Sequence, residues 1–183
     1  MDYFPHMVRI LRMDGTVFKT LAPAHLPLRY CMINITALGL IYGVASIQFA
    51  KLLLARQPEA AATFSPLLIL LVGISIAFFM HSGLALFIWV FSRGIGGNPQ
   101  FMPVYLYSGM AVIGLWPLAP AASALQAGTY GAGLTVYTAL ATVYGSAVMV
   151  VAVKAASGLS WLKVSLAAAA TTIYVGCFLY LWI

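Results

Sequence analysis

The chain has 183 residues, of which 63% are apolar and only 7% charged, with a mean hydropathy of +1.02 and a net charge of +6. That composition excludes a soluble domain of ordinary kind and marks a membrane protein. A hydrocarbon core about 30 Å thick needs roughly 20 apolar helical residues per crossing, which caps the spans near six and leaves no room for a second globular domain.

The first 27 residues read as a basic cytoplasmic tail. In "PHMVRILRMDG", Pro5 suits a first helical turn and Gly15 a stop, while Met7, Val8, Ile10 and Leu11 share a face opposite Arg9 and Arg12. This predicts a short amphipathic helix lying in the membrane interface; the other reading is an irregular tail whose apolar residues pack under the bundle. The basic side chains Arg9, Arg12, Lys19 and Arg29 precede or open the first span, too long a leader for a cleaved signal peptide, so that span is read as an uncleaved anchor.

Residues 28–183 read as the membrane domain, with apolar runs at about 31–50, 66–91, 101–125, 132–153 and 162–183. The runs are continuous rather than alternating, and backbone amides in lipid must be satisfied within their own segment, so the fold class is all-α: a polytopic bundle of five transmembrane helices. The carboxylates Asp2, Asp14 and Glu59 all lie outside these runs. Arg9, Arg12, Lys19, Arg29, Arg93, Lys154 and Lys163 fall on one side and only Lys51 and Arg56 on the other, which places the N-terminus in the cytoplasm. Cys31 and Cys177 are read as separated by the bilayer's thickness and unpaired. The basic residues are spread over several loops without a helix to present them to a groove, so anionic lipid, not nucleic acid, is the expected partner.

Within the spans, Gly39 and Gly43 form a small-xxx-small pair that lets another helix approach. In the second span Gly73, Ala77, His81 and Ala85 recur every four residues, so one stripe facing protein carries a histidine near mid-span. An ionisable group at that depth raises a proton relay or a metal ligand, but metal needs further ligands, and His6, His25 and Cys31 are in or near the tail. The structural reading is a neutral histidine donating to a hydroxyl or carbonyl of a neighbouring span. No metal and no cofactor are expected, and no catalytic residues, since no serine has a carboxylate to join it within the membrane. Asn34, Gln48, Gln126, Thr138 and Thr142 are read as span-end or interhelical hydrogen-bonding groups.

The glycine-rich stretch "FSRGIGGNPQF" at 91–101 has no preceding strand, so it is read as a turn and not a nucleotide loop. Gly94, Gly96 and Gly97 would supply positive φ, Asn98 would cap the third span, and Pro99 would open it. Arg93 anchors this turn to headgroups; with Gly96 and Gly97, and with Arg9 and Arg12 of the tail, it forms the candidate anionic-lipid contact. Pro117 and Pro120 should kink the third span. Ala141 and Gly145 make a second small-residue face on the fourth. Tyr3, Phe4, Trp89, Tyr105, Tyr107, Tyr130, Trp161, Tyr180 and Trp182 form an expected interfacial belt.

A basic tail, five spans, the Gly96–Gly97 turn after the second, then "YLYSGMAVIGLWP" with Tyr107 and Pro117, and "TVYTALATVYG" in the fourth, together resemble the Yip family of membrane proteins, in particular its short prokaryotic members. The resemblance implies a five-span bundle with a cytosolic N-terminus. Eukaryotic members of that family, named for interaction with Rab/Ypt-type GTPases, carry an Asp-Leu-Tyr-Gly-Pro element. Only "SPLL" at 65–68 stands here, entering the second span, and this departure from the family's pattern weakens the implied small-GTPase binding.

The resulting expectation is a non-enzymatic scaffold or adaptor of a bacterial inner membrane, packing on itself or other membrane proteins through small-residue faces and touching anionic lipid. The other readings are a small channel or transporter passing His81 and the Pro117/Pro120 kink, and an accessory subunit of a larger membrane complex.

Overall fold

A computed structural model describes residues 3–22, 26–55, 65–98 and 100–180, the side chains of 53 and 175–180 excepted. Asp2, His25, Arg56, Glu59, Pro99 and Trp182, and the side chains of Cys177 and Tyr180, therefore lie outside the described residues. The described chain is all-helical: α1 (Tyr3–Leu11), α2 (Thr16–Leu21), α3 (Leu26–Leu54), α4 (Pro66–Gly94), α5 (Phe101–Ala111), a 3-10 turn (Val112–Leu115), α6 (Leu118–Gln126), α7 (Ala132–Ser157) and α8 (Trp161–Tyr180). Among the described residues three helices are long and apolar enough to cross a membrane, within α3, α4 and α7. A fourth crossing results if the unit Phe101–Gln126, bent by 71°, counts as one span. Part of α8 lies beyond the described side chains, so the expected fifth span is neither added nor removed.

Small residues set the closest helix pair. A Cβ on Gly39 would lie 2.6 Å from Ile74 Cα and 2.9 Å from Gly73 O, and one on Gly73 would lie 3.2 Å from Gly43 Cα. The glycines of α3 and α4 thus pack on each other, and backbone meets backbone because no side chain intervenes. A Cβ on Gly145 of α7 would sit 2.9 Å from Gly114 O in the 3-10 turn. These small-residue faces, read from the sequence as letting another helix approach, are used inside the chain.

The kink expected at Pro117 and Pro120 is present and is sharper than a bent helix. The 3-10 turn Val112–Leu115 ends α5's run, Pro117 stands at the N-cap of α6, and Pro120 falls in its first turn, where a missing N–H costs no intrahelical bond. Tyr137 OH of α7 donates to Pro117 O at 2.7 Å, taking up a carbonyl beside the break.

The two ends of this bent unit lie against opposite ends of the bundle. Asn98, just before α5, donates through its N–H to Ser157 O at the end of α7 (2.9 Å), whereas Ser123 and Gln126 of α6 meet Ser46 and Tyr42 in the second half of α3. Lys163 Nζ donates to Ile95 O at 2.7 Å, joining the start of α8 to the end of α4. The C-terminal ends of α4 and α7 and the start of α8 therefore share one end of the bundle, together with Arg93, Lys154 and Lys163.

The tail is helical, as the pattern predicts, but is docked under the bundle. Met7 and Ile10 are buried in the core while Val8 is exposed, so the expected shared face of Met7, Val8, Ile10 and Leu11 is narrower than read from spacing. The stop is also displaced. Met13, not Gly15, takes positive φ (62°), with Asp14 N–H donating to Arg9 O at 3.0 Å and Met13 N–H to Ile10 O at 2.8 Å. Gly15 instead abuts α7, where a Cβ would be 3.2 Å from Val151 Cγ1.

Candidate functional site

The stripe Gly73, Ala77, His81 and Ala85 is buried along α4, as its four-residue spacing predicts. At its centre His81 Nε2 donates to Tyr105 O of α5 at 3.1 Å, and the Tyr105 ring meets the imidazole edge-on with centroids 4.7 Å apart. A carbonyl only accepts, so this contact places the proton on Nε2 and leaves Nδ1, which is buried and has no partner among the described residues, as an acceptor in the neutral ring. The interhelical hydrogen bond expected of His81 is the one found.

Tyr105 O gathers further donors. Cys31 Sγ of α3 lies 3.9 Å from it, and Ser108 Oγ, whose one proton goes chiefly to Val104 O at 2.6 Å, lies 3.2 Å from it. Gly109, one turn along, makes room for this convergence: a Cβ there would overlap Cys31 Sγ and lie 3.2 Å from His81 Nε2. Cys31 and His81 are thus neighbours across a glycine. Among the described residues no three His, Cys, Asp or Glu side chains come together as a metal site would require.

A second polar node lies on the tail side. Asn34, fully buried on α3, donates through Nδ2 to Met110 O at 2.7 Å and accepts from Tyr3 OH of α1; its own carbonyl accepts from Trp116 Nε1 at 3.1 Å. One side chain thereby ties α1, α3 and the bent unit together. Of the aromatic belt, Phe4, Tyr130 and Trp161 are exposed, but Tyr105 turns to His81, and Tyr107 stacks on Phe18 of α2 with centroids 5.2 Å apart. Thr138 and Thr142 bond back to Leu134 O and Thr138 O of their own helix, both at 2.7 Å, rather than across helices.

At the glycine turn only part of the expectation holds. Gly96 alone has positive φ (93°), and it closes α4 with Gly96 N–H donating to Arg93 O (3.1 Å) and Gly97 N–H to Ser92 O (2.8 Å), a Schellman arrangement. Gly97 is required for space, since a Cβ would sit 2.8 Å from Ser92 O, and Gly94 remains helical. Asn98 does not cap the third span: Gln100 takes that place, while Asn98 caps the end of α7 through Ser157 O and Ala156 O (3.4 Å). Local spacing names a capping residue but not which helix end folds back to it.

The candidate headgroup cations are partly engaged. Arg93 lies over the Trp89 ring, 5.5 Å from its centroid. Arg9 Nη2 pairs with Asp14 Oδ2 at 2.7 Å and donates to Thr16 Oγ1 at 2.9 Å. Arg12 is exposed. Asp14 accepts from the Thr16 hydroxyl at 2.6 Å and its N–H at 3.0 Å; the Thr16 hydroxyl first, then Arg9, hold its carboxyl down at about 2.

No protein-family model, no curated protein and no solved structure matches the chain.

Proposed function

We propose that the chain is a five-span integral membrane protein of a bacterial inner membrane, its basic end in the cytoplasm, acting as a non-enzymatic scaffold that holds other membrane proteins, or copies of itself, beside anionic lipid. The meeting of His81 and Cys31 at the carbonyl of Tyr105, with Ser108 bonded to Val104 O beside it, carries this reading, because it gives the interior donors a structural task in a densely packed centre. With α8 as the fifth span and Phe101–Gln126 as a broken one, the seven-to-two division of basic residues sets the orientation. The Yip-like turn and the Tyr107 and Pro117 positions favour the same architecture, and small-GTPase binding is not part of the proposal.

The glycine faces are consumed within the bundle, so partners would meet the outer apolar faces instead. On α4 these include Leu71, Phe79, Leu86 and Val90; on α7, Leu140 and Val143. Purification from native membranes in mild detergent tests the reading. The expected result is an oligomer or a co-purifying membrane protein, cross-linked from Phe79 or Leu140; a strictly monomeric, partner-free protein contradicts it.

A channel or transporter is the second reading, favoured by the Nδ1 of His81, which has no partner among the described residues, and by the helix break at Val112–Leu115. In reconstituted vesicles it requires a proton or ion flux that falls in His81→Ala. Vesicles indistinguishable from empty ones would end it.

A further inference from the structure

The basic end of the bundle contains a pocket of about 400 Å³ between the tail and α7, beside the contact of Gly15 with Val151. Thr16 and Lys19 of α2 form one wall, Val151, Lys154 and Ala155 of α7 the other, and Trp161 of α8 stands at its edge. We propose that this pocket seats the phosphodiester of an anionic glycerophospholipid from the surrounding leaflet, with the start of an acyl chain along Val151 and Ala155.

Charge is the first argument. Lys19 of α2 and Lys154 of α7 both line the pocket, and no carboxylate is found in its lining among the described residues. Asp14, in the turn before α2, is already held by Arg9 and Thr16. Lys154 Nζ donates to Leu159 O at 3.1 Å and lies 4.5 Å from the Trp161 ring centroid, which fixes the ammonium in place while leaving further N–H donors. Lys19 is exposed and has no ion pair among the described residues.

Depth is the second. The pocket lies at the last turn of α7 and the first residue of α8, where an exposed tryptophan beside lysine marks the headgroup layer. Three of the last carbonyls of α7 already have donors, which lessens their repulsion of an anion: Gly158 N–H donates to Lys154 O at 3.1 Å, and Asn98 donates to Ser157 O and Ala156 O. A lipid meets both halves of the lining, since phosphate oxygens suit the two ammonium groups and methylenes suit the apolar wall. Free phosphate would satisfy only the first.

This inference rests on the reading of α7 as a membrane span. The full chain is purified in mild detergent and titrated with phosphatidylglycerol, phosphatidylcholine or inorganic phosphate, retained lipid being counted by native mass spectrometry. The account expects one retained phosphatidylglycerol per chain in preference to phosphatidylcholine, and no displacement by inorganic phosphate. Lys19→Gln should weaken retention about fivefold, one basic residue's share near a headgroup surface, and Lys19→Glu further. Lys51→Gln, at the opposite end of α3, should change nothing. Lys19 is exposed and has no side-chain hydrogen bond or ion pair among the described residues, so its variants report on the site, with thermal unfolding as the control on folding, and Lys154→Gln serves as a second reporter under the same control. Equal retention by Lys19→Gln, Lys19→Glu and wild type overturns the site, as does equal retention of phosphatidylcholine; displacement by inorganic phosphate assigns the pocket to a free anion and overturns the lipid. A chain extracted from membranes by alkaline carbonate would instead refute the span.

Discussion

Gly39 of α3 and Gly73 of α4 bring two backbones together so closely that a Cβ on either would lie 2.9 Å from the other's carbonyl oxygen. The neighbours are main chain, which has no rotamer by which to yield. Gly39→Ala should therefore separate the helices and destabilise the bundle by about 1–3 kcal/mol, the usual range for overpacking. Gly83→Ala on the same α4, with open space around its Cβ position, should cost nothing. Reversible unfolding in mixed micelles compares the two; equal behaviour would deny the close contact.

Asn34 should control the docking of the tail. Asn34→Leu removes the donor to Met110 O and the acceptor for Tyr3 OH, and a buried group left unsatisfied costs about 1–3 kcal/mol. The outcome expected is faster proteolysis between α1 and α2 with the membrane core intact. Tyr3→Phe, which leaves the bond to Met110 O, should show the same effect more weakly.

The turn between α1 and α2 should respond to acid. The folded carboxyl of Asp14 is depressed to about 2 from a usual value of about 3.9, so its contribution is fully present above the higher value and fades as pH falls toward the lower. Hydrogen exchange at the Thr16 amide should accelerate over that window. Asp14→Asn should exchange fast at every pH and lose the dependence. Because Asp14 is at the surface, the effect is local and no change in global unfolding is expected.

At the end of α4, Gly96→Ala places an L side chain at φ 93° and should cost about 1–2 kcal/mol. Gly97→Ala fails for a different reason, the 2.8 Å approach of its Cβ to Ser92 O, and should disturb the junction with α7 as well. Lys163→Met, which loses the bond to Ile95 O, should loosen α8 without altering α4. Thermal unfolding and site-specific proteolysis after residue 94 separate these three outcomes.

Much of the interior was legible in the order of residues. Gly73, Ala77, His81 and Ala85 announce a buried stripe because four-residue spacing is the geometry of a helix face, and Pro117 and Pro120 announce a break because a ring on nitrogen removes a donor. Pairing was not legible. Nothing in the spacing of Gly39 and Gly43 says that their partner is Gly73, and nothing near Asn98 says that it closes α7. Tyr105 and Tyr107 read as belt residues because core and interface draw on the same aromatic side chains; the small pair Ser108–Gly109 was the available sign that this turn of α5 lies against other helices. The positive φ of Met13 has no compositional mark at all.

The central claim, an odd number of helical crossings with the basic end in the cytoplasm, is tested most directly by accessibility of single cysteines in intact cells. With Cys31 and Cys177 replaced by alanine, cysteines are introduced one at a time at Arg12, Gly128 and Ser160, and a tag follows Ile183. The account predicts that Gly128 and the tag react from outside, and Arg12 and Ser160 only after permeabilisation. Gly128 and Ser160 reacting from the same side, or the tag and Arg12 doing so, would contradict it.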